Sequence, residues 1–291
     1  MSAQRPRITI VMPTLNQAKY IEEAVQSILE QNYENLECLV FDGGSTDGTL
    51  DILKRYEDRL QWWSEKDRGQ ADAINKGLKR ATGDILGYLN SDDLLEPGAL
   101  DKVAGYFLEH PEVDLVYGEG YLMKADGTGK HRFPATEPVF DLWRLIHLWD
   151  FILQQSTFWR RRLLERIGYF NESLHYGLDW DYWIRAAKAG KVGYIPEYLG
   201  CLREYDAAKS FAGGSRRIKE LYGITRTHTG KRWPPPGIII YASDWLEASL
   251  YRKLNSAFGG RLTRTAEPSR KFFRGLLARY IQKSLRSSSA Q

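Results

Sequence analysis

The sequence predicts an α/β protein, a mostly parallel sheet with flanking helices followed by a basic helical C-terminal extension. Three observations carry this. Short β-branched runs alternate with stretches of helical apolar periodicity over the first 120 residues, the pattern of β-α-β units with right-handed crossovers. Polar turns follow the strand-like runs, the one after the second run rich in glycine. Beyond residue 210 the strand signal stops and basic side chains accumulate. The elements follow in order. Residues 7–12 are apolar and β-branched and stop at Pro13. Residues 16–30 place Tyr20, Ile21, Ala24, Val25, Ile28 and Leu29 at three- and four-residue spacing and predict a helix. Residues 36–41 predict a second strand, ended by the turn Asp42-Gly43-Gly44-Ser45, and residues 49–56 a second helix. A short strand over 60–64, a helix over 70–81 closed by Gly83, and a strand over 84–90 come next. A helix over 97–110 carries Pro97 near its first turn. Residues 115–118 read as a strand, a helix begins at Phe158, residues 179–189 form another helix, and 192–196 a short strand. The run Trp233-Pro234-Pro235-Pro236-Gly237 is a rigid break before a helical remainder.

The length, 291 residues, suits one large domain or one domain with appendages. Hydrophobic residues at 43% and charged residues at 27% are globular proportions and exclude wholesale disorder. No apolar run approaches the roughly 18 residues of a membrane-spanning helix, and the N-terminus lacks the pattern of a secretory signal. The two cysteines, Cys38 and Cys201, are far apart and outside any metal-binding spacing, which argues against a disulfide framework or zinc module and for a reduced cytoplasmic setting. The net charge of +4 hides an asymmetry. Residues 209–291 hold 17 basic and 4 acidic side chains, net +13, whereas residues 1–208 hold 24 and 33, net −9. An acidic front suits a cation or an electrophile, and a basic tail suits an anionic surface.

In open parallel α/β sheets, ligands bind at the carboxyl ends of strands. Here those ends carry Pro13, Thr14 and Asn16 after the first strand, Asp42, Gly43, Gly44 and Ser45 after the second, and Asn90, Ser91, Asp92 and Asp93 after the strand over 84–90. Each cluster alone is also an ordinary polar turn or helix cap; together they favour one site. The adjacent carboxylates of Asp92 and Asp93 repel each other unless a cation or hydrogen-bond donors neutralise them, and Mg²⁺ or Mn²⁺ with substrate phosphate oxygens suits such a pair. The competing reading is acidic decoration of the helix that starts near Pro97. A dinucleotide oxidoreductase is disfavoured, because no Gly-x-Gly-x-x-Gly follows the first strand, and a Walker phosphate loop is absent.

At these residues the chain resembles the family-2 inverting glycosyltransferases of the GT-A fold. The resemblance rests on Ile8–Asn16, Ile21–Leu29 and the segment from Glu37 through Asp42-Gly-Gly-Ser-Thr-Asp-Gly, then on residues 64–77 and 81–93, and on residues 154–161 and 177–185. It covers about residues 7–210. It implies a catalytic domain over 1–210, with a nucleotide-sugar half over about 7–115 and an acceptor half over 116–210, and a basic helical extension over 211–291. It implies that Thr14 and Asp42 hold the nucleotide base and ribose, with Pro13 and Asn16 beside them, and that Asp67 and Arg68 close over the nucleotide. Asn90, Ser91 and Asp92 take the place of the metal motif, with Asp92 the metal ligand for Mn²⁺ or Mg²⁺ and Asp93 at the donor site. Asp179 matches the general base, and Asp181 is the fallback. Two departures stand out: Asn90 replaces the first acid of the metal motif, and Leu178 precedes Asp179 where an acid is usual. Arg203, with Tyr205 where relatives carry a histidine, is placed to touch the diphosphate, the alternative being an ion pair; Lys209 and Ser210 continue that segment.

The implied reaction is physically coherent. Charge developing on the leaving nucleoside diphosphate is stabilised by a metal ion, and a carboxylate takes the proton of the attacking acceptor hydroxyl. Attack opposite the leaving group inverts the anomeric centre through an oxocarbenium-like transition state. UDP-sugars are the first expectation for the donor, and the acceptor is a glycan or lipid-linked molecule, in cell-surface polysaccharide biosynthesis. Residues 270–286 place Phe272, Phe273, Leu276, Leu277, Tyr280, Ile281 and Leu285 at helical spacing, with Arg279, Lys283 and Arg286 opposite. Such a helix suits peripheral contact with the cytosolic face of a membrane, or packing on the protein itself. The competing functions are a catalytically inactive sugar-nucleotide-binding scaffold, a nucleotidyltransferase releasing pyrophosphate, and a nucleic-acid binder acting through the tail. The last leaves Asp92 and Asp179 unexplained, so no nucleic acid is expected.

Overall fold

The structure, a computed structural model, describes residues 5–205, 213–232, 234–239, 241–243 and 246. Its strands are β1 (Ile8–Thr14), β2 (Leu36–Asp42), β3 (Gln61–Ser64), β4 (Ile85–Tyr88), β5 (Leu94–Leu95), β6 (Leu115–Lys124), β7 (His131–Arg132), β8 (Thr157–Arg160) and β9 (Val192–Glu204). Its helices are α1 (Ile21–Leu29), α2 (Thr49–Lys54), α3 (Gln70–Arg80), α4 (Ala99–Glu109), α5 (Leu142–His147), α6 (Arg161–Ile167), α7 (Leu178–Ala189) and α8 (Gly214–Thr229), with a single 3-10 turn over Gln154–Ser156. Among the described residues the strands form one mixed sheet in the order β3-β2-β1-β4-β8-β6-β9-β5, with β7 paired to β6. The contacts divide the chain into two compact units, residues 1–145 with 150–213, and residues 146–149 with 214–291.

The first half is parallel: β1 pairs β2 and β4, and β2 pairs β3, all in one direction. All seven residues of β1 are buried, as a central strand covered on both faces requires. Helix α1 covers one face with Ile21, Ala24, Val25, Ile28 and Leu29, which join Ile8, Ile10, Met12, Val40 and Val103 in the core. Helix α3 lies close on the sheet, because a methyl group at Gly77 would overlap the Val11 side chain. The second half mixes directions. Strand β8 runs antiparallel to both β4 and β6, and β6 pairs β9 in parallel over ten positions with two register shifts near Glu119.

Three elements differ from the sequence reading. Helix α1 starts at Ile21 rather than Asn16, because Asn16 adopts φ 52° and its side chain and backbone are tied to the loop after β2. Phe158, expected to begin a helix, lies in β8, and the helix begins three residues later at Arg161. Strands β6 and β9 run far beyond residues 118 and 196, past Gly118, Gly120, Pro196 and Gly200. The glycines are there because Gly200 packs against the backbone of Gln155, and a side chain at Gly118 would meet Leu199 and the Glu197 carbonyl.

Candidate functional site

The carboxyl ends of the parallel strands coincide. Thr14 is in register with Asp42, and Asp42 with Ser64. Asp42 is 2% exposed, and its carboxylate accepts from the Gly44 and Ser45 backbone N–H groups, both at 2.9 Å, from Ser64 Oγ at 2.7 Å and from Ser45 Oγ. Asn16 staples the first loop to the second: its N–H donates to Ser45 Oγ and its side-chain oxygen accepts from the Thr46 N–H. Beside them the Thr14 hydroxyl is buried with no hydrogen-bond partner. A buried polar atom without a protein partner calls for another one, such as an ordered water, an ion or a ligand. Pro13 sits in β1 just past the last residue paired to β4, where its missing N–H costs no ladder bond.

Asp67 and Arg68 precede α3. Asp67 accepts from the Gly69 N–H at 2.8 Å, and its carboxylate lies so near Gly43 that a Cβ there would be 2.6 Å away. The structure therefore brings Thr14, Asn16, Asp42 and Asp67 together. Arg68 has a mostly exposed side chain joined to Asp72 at 2.9 Å and Glu172 at 2.5 Å. The Arg68 side chain and backbone, with Lys76, hold the Asp72 carboxyl down to about 2. Asn75 completes the connection, bonding the backbone of Phe170 and the Glu172 side chain.

The end of β4 holds Asn90, Ser91, Asp92 and Asp93 in a tight turn, with the Asp93 N–H donating to the Asn90 carbonyl. Ser91 is buried in it. The two acids differ sharply. Asp93 is 1% exposed and accepts from the Arg203 backbone N–H at 2.9 Å, Gln155 Nε2 at 2.6 Å and Asn90 Nδ2 at 3.1 Å. Burial and the Asp92 charge push its pKa above the usual carboxylate range, against the pull of those three donors. Asp92 is half-buried, and its Oδ2 accepts from the Tyr205 hydroxyl at 2.7 Å. That contact, after burial itself, raises the Tyr205 pKa, and Tyr205 also meets Gln17 and the Tyr20 ring from the loop after β1.

Arg203 is 1% exposed and donates to the Asp92 carbonyl at 2.8 Å, the Ala125 carbonyl at 3.1 Å and Glu23 Oε2 at 2.5 Å, with its guanidinium 4.7 Å from the Tyr20 centroid. It holds the Asp92 loop through the Asp92 carbonyl. Asn90 and Asp93 likewise have protein partners, as a buried acid needs donors around it. The site also uses residues with no assigned role in the sequence: Gln154, Gln155, Gln70, Ser64 and Glu23. The amides carry no charge pattern to notice, and Glu23 is 180 residues from its partner.

Helix α7 carries Asp179 and Asp181 in its first turn. Asp181 is 6% exposed and paired with Arg185 Nε at 2.8 Å. Asp179 is half-buried, and one of its carboxylate oxygens accepts from the Trp180 N–H. Burial raises the Tyr88 pKa, and Asp179, Asp150 and Asp93 add to it, which places Asp179 within electrostatic reach of the β4 end. Gln154 bonds the Tyr88 carbonyl at 2.6 Å, and Phe170 packs edge-on against its ring. Among the described residues no cluster of three or more His, Cys, Asp or Glu forms a cage for a metal ion. The residues present fit a hard divalent cation of the kind anchored by one carboxylate, here Asp92, with phosphate oxygens and water filling the remaining positions.

The model of the family described as "Glycosyl transferase family 2" matches residues 9–168. A PGL/p-HBAD biosynthesis glycosyltransferase of Mycobacterium bovis is 37% identical over 242 residues, 79% of this chain and 91% of its own length. An uncharacterized glycosyltransferase of Rickettsia typhi is 28% identical over 213 residues, 69% of this chain and 65% of its own. Among solved structures, S. aureus TarS 1–349 in complex with UDP-GlcNAc superposes with a TM-score of 0.61 at 20% identity, over 82% of this chain and 71% of that one. The longer S. aureus TarS chain is spanned to 39%. The mannosyltransferase PcManGT from Pyrobaculum calidifontis, in complex with GDP-Man and Mn²⁺, gives a TM-score of 0.58 at 23% identity, over 97% of this chain and 81% of that one. These likenesses establish the fold.

Proposed function

The chain belongs to glycosyl transferase family 2 and is a glycosyltransferase of the GT-A fold; from that premise we propose that it moves a sugar from a nucleoside diphosphate-sugar to a hydroxyl of a glycan or lipid-linked acceptor, with inversion. The observation that carries the donor site is the aligned end of the parallel strands, where the Asp42 carboxylate stands beside the unpartnered Thr14 hydroxyl. Thr14 and Asp42 bind the nucleoside, Pro13 and Asn16 shape the loop around it, and Asp67, Arg68 and Ser91 close the rim. Asp92 would hold the divalent cation, Mn²⁺ or Mg²⁺, and Asn90, Asp93 and Arg203 fix Asp92 in place. When bound, that ion neutralises charge on the leaving diphosphate. Asp179 takes the proton of the acceptor hydroxyl, a role supported by its greater exposure than that of Asp181, which is buried and paired with Arg185. The UDP-GlcNAc and GDP-Man complexes of the two structural relatives support a sugar-nucleotide donor, with a UDP-sugar the first choice.

The proposed setting is cell-surface polysaccharide biosynthesis, supported by the PGL/p-HBAD biosynthesis role of the Mycobacterium relative. Among the described residues no helix is long and apolar enough to cross a membrane. The proposed place is the cytoplasm, at the cytosolic face of a membrane. The segment 270–286, Lys209 and Ser210 lie outside the described residues.

The test is calorimetric titration of UDP, GDP, dTDP and CMP, each with and without Mn²⁺. One nucleoside diphosphate binds in a Mn²⁺-dependent manner, and Asp92→Ala removes the Mn²⁺-dependent part. At about 100 times its Kd that ligand stabilises the protein by about 2.7 kcal/mol. No binding of any nucleotide at millimolar concentration to folded protein overturns the proposal.

A further inference from the structure

The amide at position 90 is tied into its surroundings. The Asn90 amide is fully engaged: Nδ2 donates to Asp93 Oδ2 at 3.1 Å and to Gln154 Oε1 at 3.2 Å, while Oδ1 accepts from Gln70 Nε2 at 2.6 Å. Gln154 cannot reverse its own amide without loss, because its Nε2 donates to the Tyr88 carbonyl at the end of β4. Position 90 therefore faces two acceptors, one of them the carboxylate of Asp93, which is 1% exposed. Only a donor satisfies both. A carboxylate there would bring a third acid beside Asp92 and Asp93 and leave oxygen against oxygen at two contacts.

We propose that Asn90 is a positioning residue: its amide, by bonding Asp93, Gln154 and Gln70 together, joins the end of β4, the turn over Gln154–Ser156 and the start of α3, and so sets Asp92 for its cation. This rests on the donor-site reading of Asp92. It makes a counterintuitive claim. Restoring an acid at position 90 weakens the site, whereas a residue that itself faced the cation would gain affinity from the same change.

The structure also supplies a repair. In the double variant Asn90→Asp/Asp93→Asn the acid and the amide change places and the net charge is unchanged. The new amide at 93 donates to the new carboxylate at 90, and its oxygen still receives the Arg203 N–H. Gln155 then has to present an acceptor to position 93 in place of its Nε2. It can do so by turning its amide, since its Oε1 is buried without a partner now.

The experiment measures UDP and GDP binding by calorimetry, with and without Mn²⁺, for the unaltered protein, Asn90→Asp and the double variant, alongside their thermal midpoints. Asn90→Asp is expected to lose about tenfold or more of the Mn²⁺-dependent affinity while metal-free nucleotide binding changes little. The double variant is expected to recover part of it, because the contact of position 90 with Gln154 Oε1 stays oxygen against oxygen. Asn90→Asp binding as tightly as the unaltered protein or more tightly overturns the proposal, and so does a double variant no better than the single one. If neither nucleotide binds the unaltered protein, the donor reading fails, and the midpoints decide this one separately. A fall in Asn90→Asp repaired by the double variant supports the amide connection, and an unchanged midpoint overturns it.

Discussion

Replacing Arg203 with alanine separates two roles for that side chain. Its guanidinium is buried and holds the carbonyls of Asp92 and Ala125, the carboxylate of Glu23 and the face of Tyr20. Each of these part-buried carbonyls loses a bond to a charged donor, at about 1–3 kcal/mol. The lost cation–π contact adds about 0.5–2 kcal/mol. Glu23 contributes less, because its side chain is 53% exposed and regains water when the pair is broken. Together these put Arg203→Ala about 2.5–8 kcal/mol below the unaltered protein in unfolding free energy, while Glu23→Gln stays within about 1 kcal/mol. Denaturant unfolding followed by tryptophan fluorescence reads both, and calorimetry reads the Mn²⁺-dependent nucleotide affinity, which falls in Arg203→Ala as the Asp92 loop loosens. An Arg203→Ala protein as stable as the original but deficient in nucleotide binding would refute the reasoning, because it would return Arg203 to direct contact with the diphosphate.

The remaining predictions address the other functional side chains. Thr14→Val removes a buried hydroxyl that has no partner and is expected to raise stability by about 1 kcal/mol while lowering nucleoside affinity; unfolding and calorimetry on one sample check both signs. Asp179→Asn is expected to reduce turnover by about 100-fold or more with stability nearly unchanged. Asp181→Asn is expected to cost about 1–3 kcal/mol through its broken pair with Arg185, so parallel melts and rate assays distinguish the two acids. Asp72 has a folded pKa of about 2, below its unfolded value, so its stabilisation is full above about pH 4 and is lost as pH falls through about 2. Asp72→Asn should therefore flatten the acid limb of the stability profile between those values, as acid titration of the unfolding free energy will show.

The parallel half of the fold was legible because its strands are continuous apolar runs and its helices present a clean apolar stripe; β1, β2, α1 and α3 all follow that rule. The second half obscured itself. Strand β8 is only four residues long and runs directly into α6, so the helical pattern of Arg161–Ile167 absorbed it. Strand β9 contains Pro196 and Gly200, which break a local strand signal but are accommodated where β6 and β9 shift register. The candidate site divided in the same way. Asp42, Asp92 and Asp179 were visible as acids at strand and helix ends. The partners that set them were not, because hydrogen bonds such as Gln155 to Asp93, across 62 residues, leave no periodic trace. Arg203 illustrates the limit: its charge drew attention, but its direction depends on α1, the loop over 124–129 and the β4 end meeting in space.

The most direct test of the assignment of Asp92 and Asp179 is the product released from a panel of UDP- and GDP-sugars with Mn²⁺, for the unaltered protein, Asp92→Ala and Asp179→Asn. The account predicts release of the nucleoside diphosphate from one donor, slowed about 100-fold or more in each variant while both remain folded. Release of pyrophosphate, or rates in the variants equal to those of the unaltered protein, would contradict it.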